Sequence, residues 1–290
     1  MSGLSNHPFV KMNGLGNEIL VVDMRPDPRR ISAADARAAA AAVAYDQLMA
    51  IYPPRSDGTD AFVRIFNNDG SEAGACGNGM RCVADILLSE SGRAALAVET
   101  PAGVLACWPG EGRLTATVDM GIPRLRWDEI PLAAPAADTR AIDVQVEVAG
   151  GPALRSPSAV SMGNPHAVFF VDDLRAYDLG RLGPLVEHHP AFPEGVNVSL
   201  ASVTGRDRLR VVTWERGAGL TRACGSAACA ALVCAVRIGA AAREATVTLP
   251  GGDLGIVWRA DDHVLMTGPV AYEFEGRFDH AADASGGGAR

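Results

Sequence analysis

Two stretches of the chain carry the same helical stripe. After Cys76, the apolar residues Met80, Val83, Ala84, Leu87 and Leu88 recur at the spacing of one helical face, and Gly92 follows as a stop signal. After Cys224, Ala228, Ala231, Leu232, Ala235 and Val236 repeat that spacing and end at Gly239. An alanine-rich helix is also predicted, from a Ser32 cap to about Ala44. Elsewhere strand patterns dominate. In the first half they fall at 8–12, 19–23, 48–52, 61–66, 94–99, 103–108 and 114–119, with the clearest alternation in Ala61-Phe62-Val63-Arg64-Ile65-Phe66. In the second half they fall at about 142–148, 158–162, 167–171, 197–203, 208–214, 245–250, 254–258 and 263–267. The expected class is α+β, with mostly antiparallel strands wrapped around one central helix in each half.

The halves repeat each other. Cys76 and Cys224 lie 148 positions apart, and each is followed by glycine. Met12 and Met162 lie 150 apart, Asp23 and Asp172 lie 149 apart, and so do Pro101 and Pro250. Met120-Gly121-Ile122-Pro123 is echoed by Thr267-Gly268-Pro269. So steady an offset indicates an internal duplication. The expected division is residues 1–123 for one half and 124–267 for the other, with His280 to Arg290 a disordered glycine-rich tail.

Composition narrows the function classes. A chain of 290 residues, 48% hydrophobic and 21% charged, suits two ordinary domains. A net charge of −8 without a basic stripe argues against nucleic acid as a partner. No apolar run reaches the roughly 20 residues of a membrane span, and Met1 to His7 lacks the pattern of a signal peptide, so a cytoplasmic location is expected. The six cysteines, at 76, 82, 107, 224, 229 and 234, form no C-x-x-C pair, and no metal site is expected. Cys82, Cys107, Cys229 and Cys234 fall within helix or strand patterns and read as small buried residues. Lys11 is the only lysine, inside a strand-like run with no phosphate cradle beside it, so a pyridoxal phosphate enzyme is not expected.

Cys76 and Cys224 differ from the other thiols. Each stands at a helix start, where free N–H groups and the dipole favour a thiolate. Two thiols facing one carbon from opposite sides make a two-base site, one removing a proton as thiolate and the other returning one as thiol. That arrangement inverts a stereocentre. The N–H groups of Gly77, Asn78, Gly225 and Ser226, aimed from the two helix starts, are placed to stabilise charge building on a carboxylate next to a carbanion. Small residues after both cysteines allow that close approach.

Five ordered blocks carry a resemblance. They are Lys11-Met12-Asn13-Gly14-Leu15-Gly16-Asn17; Asn67-Asn68-Asp69-Gly70-Ser71-Glu72 with Ala75-Cys76-Gly77-Asn78-Gly79-Met80-Arg81-Cys82; Ser161-Met162-Gly163-Asn164-Pro165-His166; Phe192-Pro193-Glu194-Gly195-Val196-Asn197-Val198; and Trp214-Glu215-Arg216-Gly217-Ala218-Gly219 leading to Ala223-Cys224-Gly225-Ser226. Together they resemble the diaminopimelate epimerases, from about residue 9 to 276. The resemblance implies interconversion of LL- and meso-diaminopimelate without metal or cofactor, in the synthesis of lysine and of peptidoglycan precursors. It implies two pseudo-symmetric domains, the last strands near 268–278 returning to the first of them, and a homodimer. It also implies that Asn17, Gln47, Asn67, Asn164 and Asn197 bind substrate, that Arg216 clamps its distal carboxylate, and that His166 and Glu215 stand near the thiols to tune or orient. Several positions depart from the commoner family pattern: Asn13, Glu18, Ala42-Val43-Ala44 before Asp46-Gln47, Ala75, Leu220, Arg222, and Phe274 at a dimer-interface position.

The sequence leaves other readings open. A proline, hydroxyproline or histidine racemase of the same architecture would share both thiols, and Arg216 with the four asparagines favours instead a substrate with a second amino-acid end. A redox or metal-binding dithiol protein would use Cys76 and Cys224 differently, and a non-catalytic module would not need them.

Overall fold

The computed structural model describes residues 4–278, so the expected tail from 280 to 290 lies outside the described residues. The first half runs β1 (Pro8–Asn13), β2 (Glu18–Asp23), α1 (Ala33–Ala42), β3 (Gln47–Tyr52), β4 (Ala61–Asn67), β5 (Glu72–Ala73), α2 (Gly77–Ser91), β6 (Leu96–Thr100), β7 (Gly103–Pro109) and β8 (Thr115–Asp119). A small hairpin of β9 (Gln145–Val146) and β10 (Leu154–Arg155) follows. The second half then runs β11 (Ser158–Ser161), β12 (Pro165–Phe170), a 3-10 turn at Leu174–Ala176, α3 (Leu179–Glu187), β13 (Asn197–Gly205), β14 (Arg208–Glu215), β15 (Gly219–Thr221), α4 (Gly225–Arg237), β16 (Glu244–Leu249), β17 (Gly252–Trp258), β18 (Val264–Pro269) and β19 (Ala271–Arg277).

The repeat read from the sequence is a repeat of topology. The parallel pair β2–β3 corresponds to β12–β13, and the parallel pair β4–β6 corresponds to β14–β16. The other pairings are antiparallel and match in the same way, from β3–β4 and β13–β14 to β7–β8 and β17–β18. The two halves join through β8 and β18, antiparallel, with Thr117 opposite Thr267 and their hydroxyls 2.8 Å apart. β19 then pairs along β1, from Pro8 opposite Arg277 to Asn13 opposite Ala271.

Each half wraps strands around its long helix. The stripe of α2 (Met80, Val83, Ala84, Leu87, Leu88) packs with Ile19, Met49, Ile65, Val98 and Val118. The stripe of α4 packs with Val160, Leu209, Val247, Ile256 and Met266, and its alanines and Cys229 and Cys234 leave no exposed face over most of its length. Second cores fill the outer side of the strands in each half, around α1 with Leu20, Leu48 and Phe66, and around α3 with Phe169, Val198 and Leu200. Cys82 and Cys107 are likewise buried.

Three details differ from the sequence expectation. The strand expected at 142–148 is reduced to Gln145–Val146, because Ile142 and Val144 spend their backbone groups on the turns to Pro157 and Ser156. The alanine-rich helix stops at Ala42, where Val43 turns to extended backbone while its N–H still reaches the Ala39 carbonyl. α3, the counterpart of α1, has no sequence prediction, since Gly180, Gly183 and Pro184 mask its stripe of Leu179, Leu182 and Val186. Gly183 is required there: a Cβ would lie 2.5 Å from the Trp214 ring.

Candidate active site

Cys76 and Cys224 are each the N-cap of the central helix of their half, in extended backbone. The Cys76 sulfur accepts the N–H of Gly79 at 3.3 Å. The Cys224 sulfur lies 3.5 Å from Ser226 Oγ. The glycines after both cysteines let the helix starts approach across a methionine layer. A Cβ on Gly77 would meet Met266 Cε at 2.8 Å and Met120 Cε at 3.0 Å, and one on Gly225 would meet Met266 Sδ at 2.7 Å and Asn78 Oδ1 at 3.3 Å. Asn78 ties the two starts together, its Nδ2 donating to the carbonyl of Ala223 at 3.2 Å.

Strand ends supply the surrounding polar groups. In the first half, register sets Ile19 beside Gln47 and Gln47 beside Asn67. The Cys76 thiol faces Asn17 Oδ1 at 3.8 Å and Gln47 Oε1 at 3.7 Å. Asn17 Nδ2 donates to Gln47 Oε1 and to Asp46 Oδ2, both at 3.0 Å, and Gln47 Nε2 reaches Asn67 Oδ1 at 3.4 Å. Lys11 Nζ, buried, fixes this loop by donating to Glu18 at 2.6 Å and to the Ala44 carbonyl at 2.7 Å.

In the second half, register sets His166 beside Asn197. Asn164 Nδ2 reaches Ser226 Oγ at 3.4 Å, and its Oδ1 accepts from His166 Nε2 at 3.0 Å. Asn197 Oδ1 accepts the backbone N–H of Arg216 at 3.0 Å, and its Nδ2 donates to the Pro165 carbonyl at 2.9 Å. Glu215 stands between the Thr221 hydroxyl, which donates to it at 2.5 Å, and the Cys224 thiol. Arg216 lies further out, on an exposed turn, its Nη1 donating to the Glu194 carbonyl at 2.8 Å.

The electrostatics depart from the expectation that helix starts alone favour thiolates. Burial pushes the Cys76 thiol up to about 11, against the opposing pull of the Gly79 and Asn78 N–H groups and of Arg81. Burial pushes Cys224 well above the ordinary thiol range, and the nearby Glu215 carboxylate pushes the same way. Glu215 is itself raised by burial. Burial drives His166 down to about 3, so its ring is neutral, with a proton on Nε2 facing Asn164. Burial thus opposes an anion at either sulfur, and an ion there draws its stability from neighbouring positive groups and from charge that enters with the substrate.

The family model for diaminopimelate epimerase matches residues 9–126 and 158–273. A diaminopimelate epimerase of Rhodopseudomonas palustris (strain BisB18) is 59% identical over 98% of this chain and 99% of that protein. One from Bradyrhizobium sp. (strain BTAi1) is 57% identical, again over 98% and 99%. The chain belongs to the diaminopimelate epimerase family. Its two-half α+β fold extends to more distant solved structures. A phenazine biosynthesis protein of Bacillus anthracis superposes on this family member with a TM-score of 0.66 at 16% identity, covering 93% of this chain and 98% of the other. A hydroxyproline epimerase from Agrobacterium vitis gives 0.65 at 15% identity, covering 96% and 94%.

Several residues of this epimerase-family site have no forecast in the sequence. Asp46 organises Asn17 and the N–H of Glu18. Glu187, buried at the end of α3, accepts Trp214 Nε1 at 2.6 Å and the Gly217 N–H at 2.9 Å, and so holds the turn that carries Glu215 and Arg216. No signal marks Glu187, because α3 itself is hidden. Arg81 did leave a signal, an arginine adjoining the apolar stripe of the Cys76 helix, and it is fully buried.

Proposed function

We propose that the protein interconverts LL- and meso-diaminopimelate by proton transfer between Cys76 and Cys224, as a cytoplasmic isomerase that needs no cofactor or metal. The observation that carries this reading is the pairing of two equivalent helix starts, each capped by a cysteine and joined through Asn78. One sulfur, as thiolate, removes the α-proton. The electron pair left on carbon spreads into the neighbouring carboxylate, where the helix-start N–H groups of Gly77, Asn78, Gly225 and Ser226 oppose the new charge. The other sulfur, as thiol, delivers its proton to the opposite face. No atoms are gained or lost, and the thiol and thiolate exchange places.

Asn17, Gln47 and Asn67 on one side, and Asn164 and Asn197 on the other, are the hydrogen-bonding groups for the amino-acid end, and Arg216 is the clamp for the distal carboxylate. Glu215 tunes Cys224 by accepting the thiol's hydrogen bond, while neutral His166 orients Asn164. The domain division is residues 1–123 with 268–278, and 124–267. The protein acts on a small molecule as a homodimer, with no role for nucleic acid or membrane. Among the described residues no helix is long and apolar enough to cross a membrane.

Identity of 57–59% to diaminopimelate epimerases along nearly the whole chain supports this substrate over an imino acid or histidine. The test is deuterium exchange in D₂O without added cofactor, with LL-diaminopimelate in one arm and proline, trans-4-hydroxyproline and histidine in the others. Exchange at the α-carbon of diaminopimelate with inversion is expected; exchange confined to another arm would refute the substrate.

A further inference from the structure

The duplication gives both halves the same helix start, but one position breaks the symmetry of charge. Five residues after Cys76 stands Arg81, and five after Cys224 stands Cys229. The duplicated position thus carries a cation in the first half and a thiol in the second, and the two are electrostatic neighbours. Arg81 is fully buried. Its Nη1 donates to Asn78 Oδ1 at 3.1 Å and meets Met266 Sδ at 3.4 Å. Its Nε and Nη2 have no hydrogen-bond partner among the described residues. Backbone closes over it: a Cβ on Gly268 would lie 3.3 Å from Nε, and one on Gly14 would lie 3.5 Å from Nη2. An arginine stays protonated even so. A buried cation without a carboxylate is costly unless an anion within reach offsets it.

We propose that Arg81 is a positioning residue that makes the duplicated site electrically one-sided: it braces Asn78 across the junction of the halves and favours the anion on Cys76, leaving the resting proton on Cys224.

The surrounding charges agree. The groups facing Cys76 are Arg81 and Cys82 on its own helix and Glu215 from β14. Arg81 draws the thiol toward ionisation and Glu215 opposes it. Cys224 has Glu215 as a direct neighbour, with Asp46 beyond it, and that carboxylate disfavours a second anion. The bracing follows from the hydrogen bonds. Arg81 holds Asn78 Oδ1 while Asn78 Nδ2 holds the Ala223 carbonyl, one residue before Cys224, so the guanidinium also fixes the distance across which the proton pair works.

The inference rests on reading the two thiols as the proton-transfer pair, and its test needs no substrate. The substrate-free protein is alkylated with iodoacetamide across a pH series, and peptide mapping gives a separate midpoint for each cysteine. The midpoint rather than the rate is read, because Cys76 is the more accessible of the two. In the wild type, Cys76 is expected to titrate below Cys224. Arg81→Met is expected to raise the Cys76 midpoint by about one pH unit, about tenfold less thiolate at fixed pH, and to leave that of Cys224 near its wild-type value. Arg81→Lys, which keeps the charge, is expected to restore most of the difference. The acidic limb of kcat/KM moves with the Cys76 midpoint. A Cys224 midpoint below that of Cys76 in the wild type overturns the proposal, and so does an Arg81→Met variant that shifts neither midpoint or both equally. If Arg81→Met does not fold by circular dichroism, the wild-type order and Arg81→Lys decide. A correct order combined with no exchange into diaminopimelate would sink the substrate and leave this inference standing.

Discussion

Removal of the Glu187 carboxylate isolates how the second half holds Glu215 and Arg216. Glu187 lies at the end of a helix that packs against β14 and reaches no substrate-facing group itself. It accepts two donors, Trp214 Nε1 at 2.6 Å and the Gly217 N–H at 2.9 Å, on either side of the Glu215-Arg216 pair. Hydrogen bonds to a charged group are each worth about 1.5–3 kcal/mol net. Gly217 is exposed, so its N–H recovers a water when the carboxylate is removed, whereas the half-buried Trp214 donor does so less readily. Glu187→Ala should therefore cost about 2–3 kcal/mol of stability, mostly through Trp214 and the space left beside it. Glu187→Gln keeps the volume and one acceptor but turns an amide N–H toward the second donor, and should cost about 1–2 kcal/mol. Urea unfolding followed by tryptophan fluorescence gives the stability. With the fold intact, KM for diaminopimelate should rise through Arg216 and kcat should fall through Glu215, since the turn carries both. A Glu187→Ala protein within 0.5 kcal/mol of wild type, with unchanged kinetics, would refute the clamp.

Other outcomes follow from the same geometry. Cys76→Ala or Cys224→Ala should lower epimerisation by several orders of magnitude, because each face of the carbon then lacks its base; near wild-type turnover by either would remove the two-base reading. His166 is neutral in the fold at about 3 and ordinary when unfolded, so the unfolded chain takes up the proton first and stability should fall as pH drops below about 6.5. That loss amounts to about 2 kcal/mol between pH 7 and pH 5 at 1.36 kcal/mol per unit, and a His166→Gln variant should show a correspondingly flatter unfolding profile over that range. Air oxidation should inactivate the protein by joining Cys76 to Cys224, with recovery in dithiothreitol and with buried Cys82, Cys107, Cys229 and Cys234 left reduced; peptide mapping that finds a different linked pair contradicts facing thiols.

Much of this architecture is legible in residue spacing. The stripes after Cys76 and Cys224 locate both central helices because a fully packed helix repeats its apolar contacts every turn. Ser32 announces α1 through its cap, which the Asp35 side chain completes. What escapes prediction is what depends on tertiary contact. Gly183 and Pro184 read as breakers along the chain, yet α3 forms because Asp178 caps it and the Trp214 ring occupies the space a side chain would need. The two-residue β5 has no room for alternation and exists only as a partner of β4. Thiol chemistry was legible as position and not as charge: the sequence shows both cysteines at helix starts, and only the fold shows how completely Cys224 is enclosed.

Lys11 has a practical consequence. It is the only lysine in the chain, and its ammonium is committed to Glu18 and the Ala44 carbonyl inside the first half. Amine-directed reagents such as succinimidyl dyes, acylating agents and lysine cross-linkers therefore have almost nothing on this surface to react with, apart from a chain terminus. Mapping proximity within or between copies will require carboxyl, arginine or engineered-thiol chemistry. Conversely, a single lysine introduced at an exposed arginine position becomes the accessible side-chain amine for surface attachment, leaving Cys76 and Cys224 untouched.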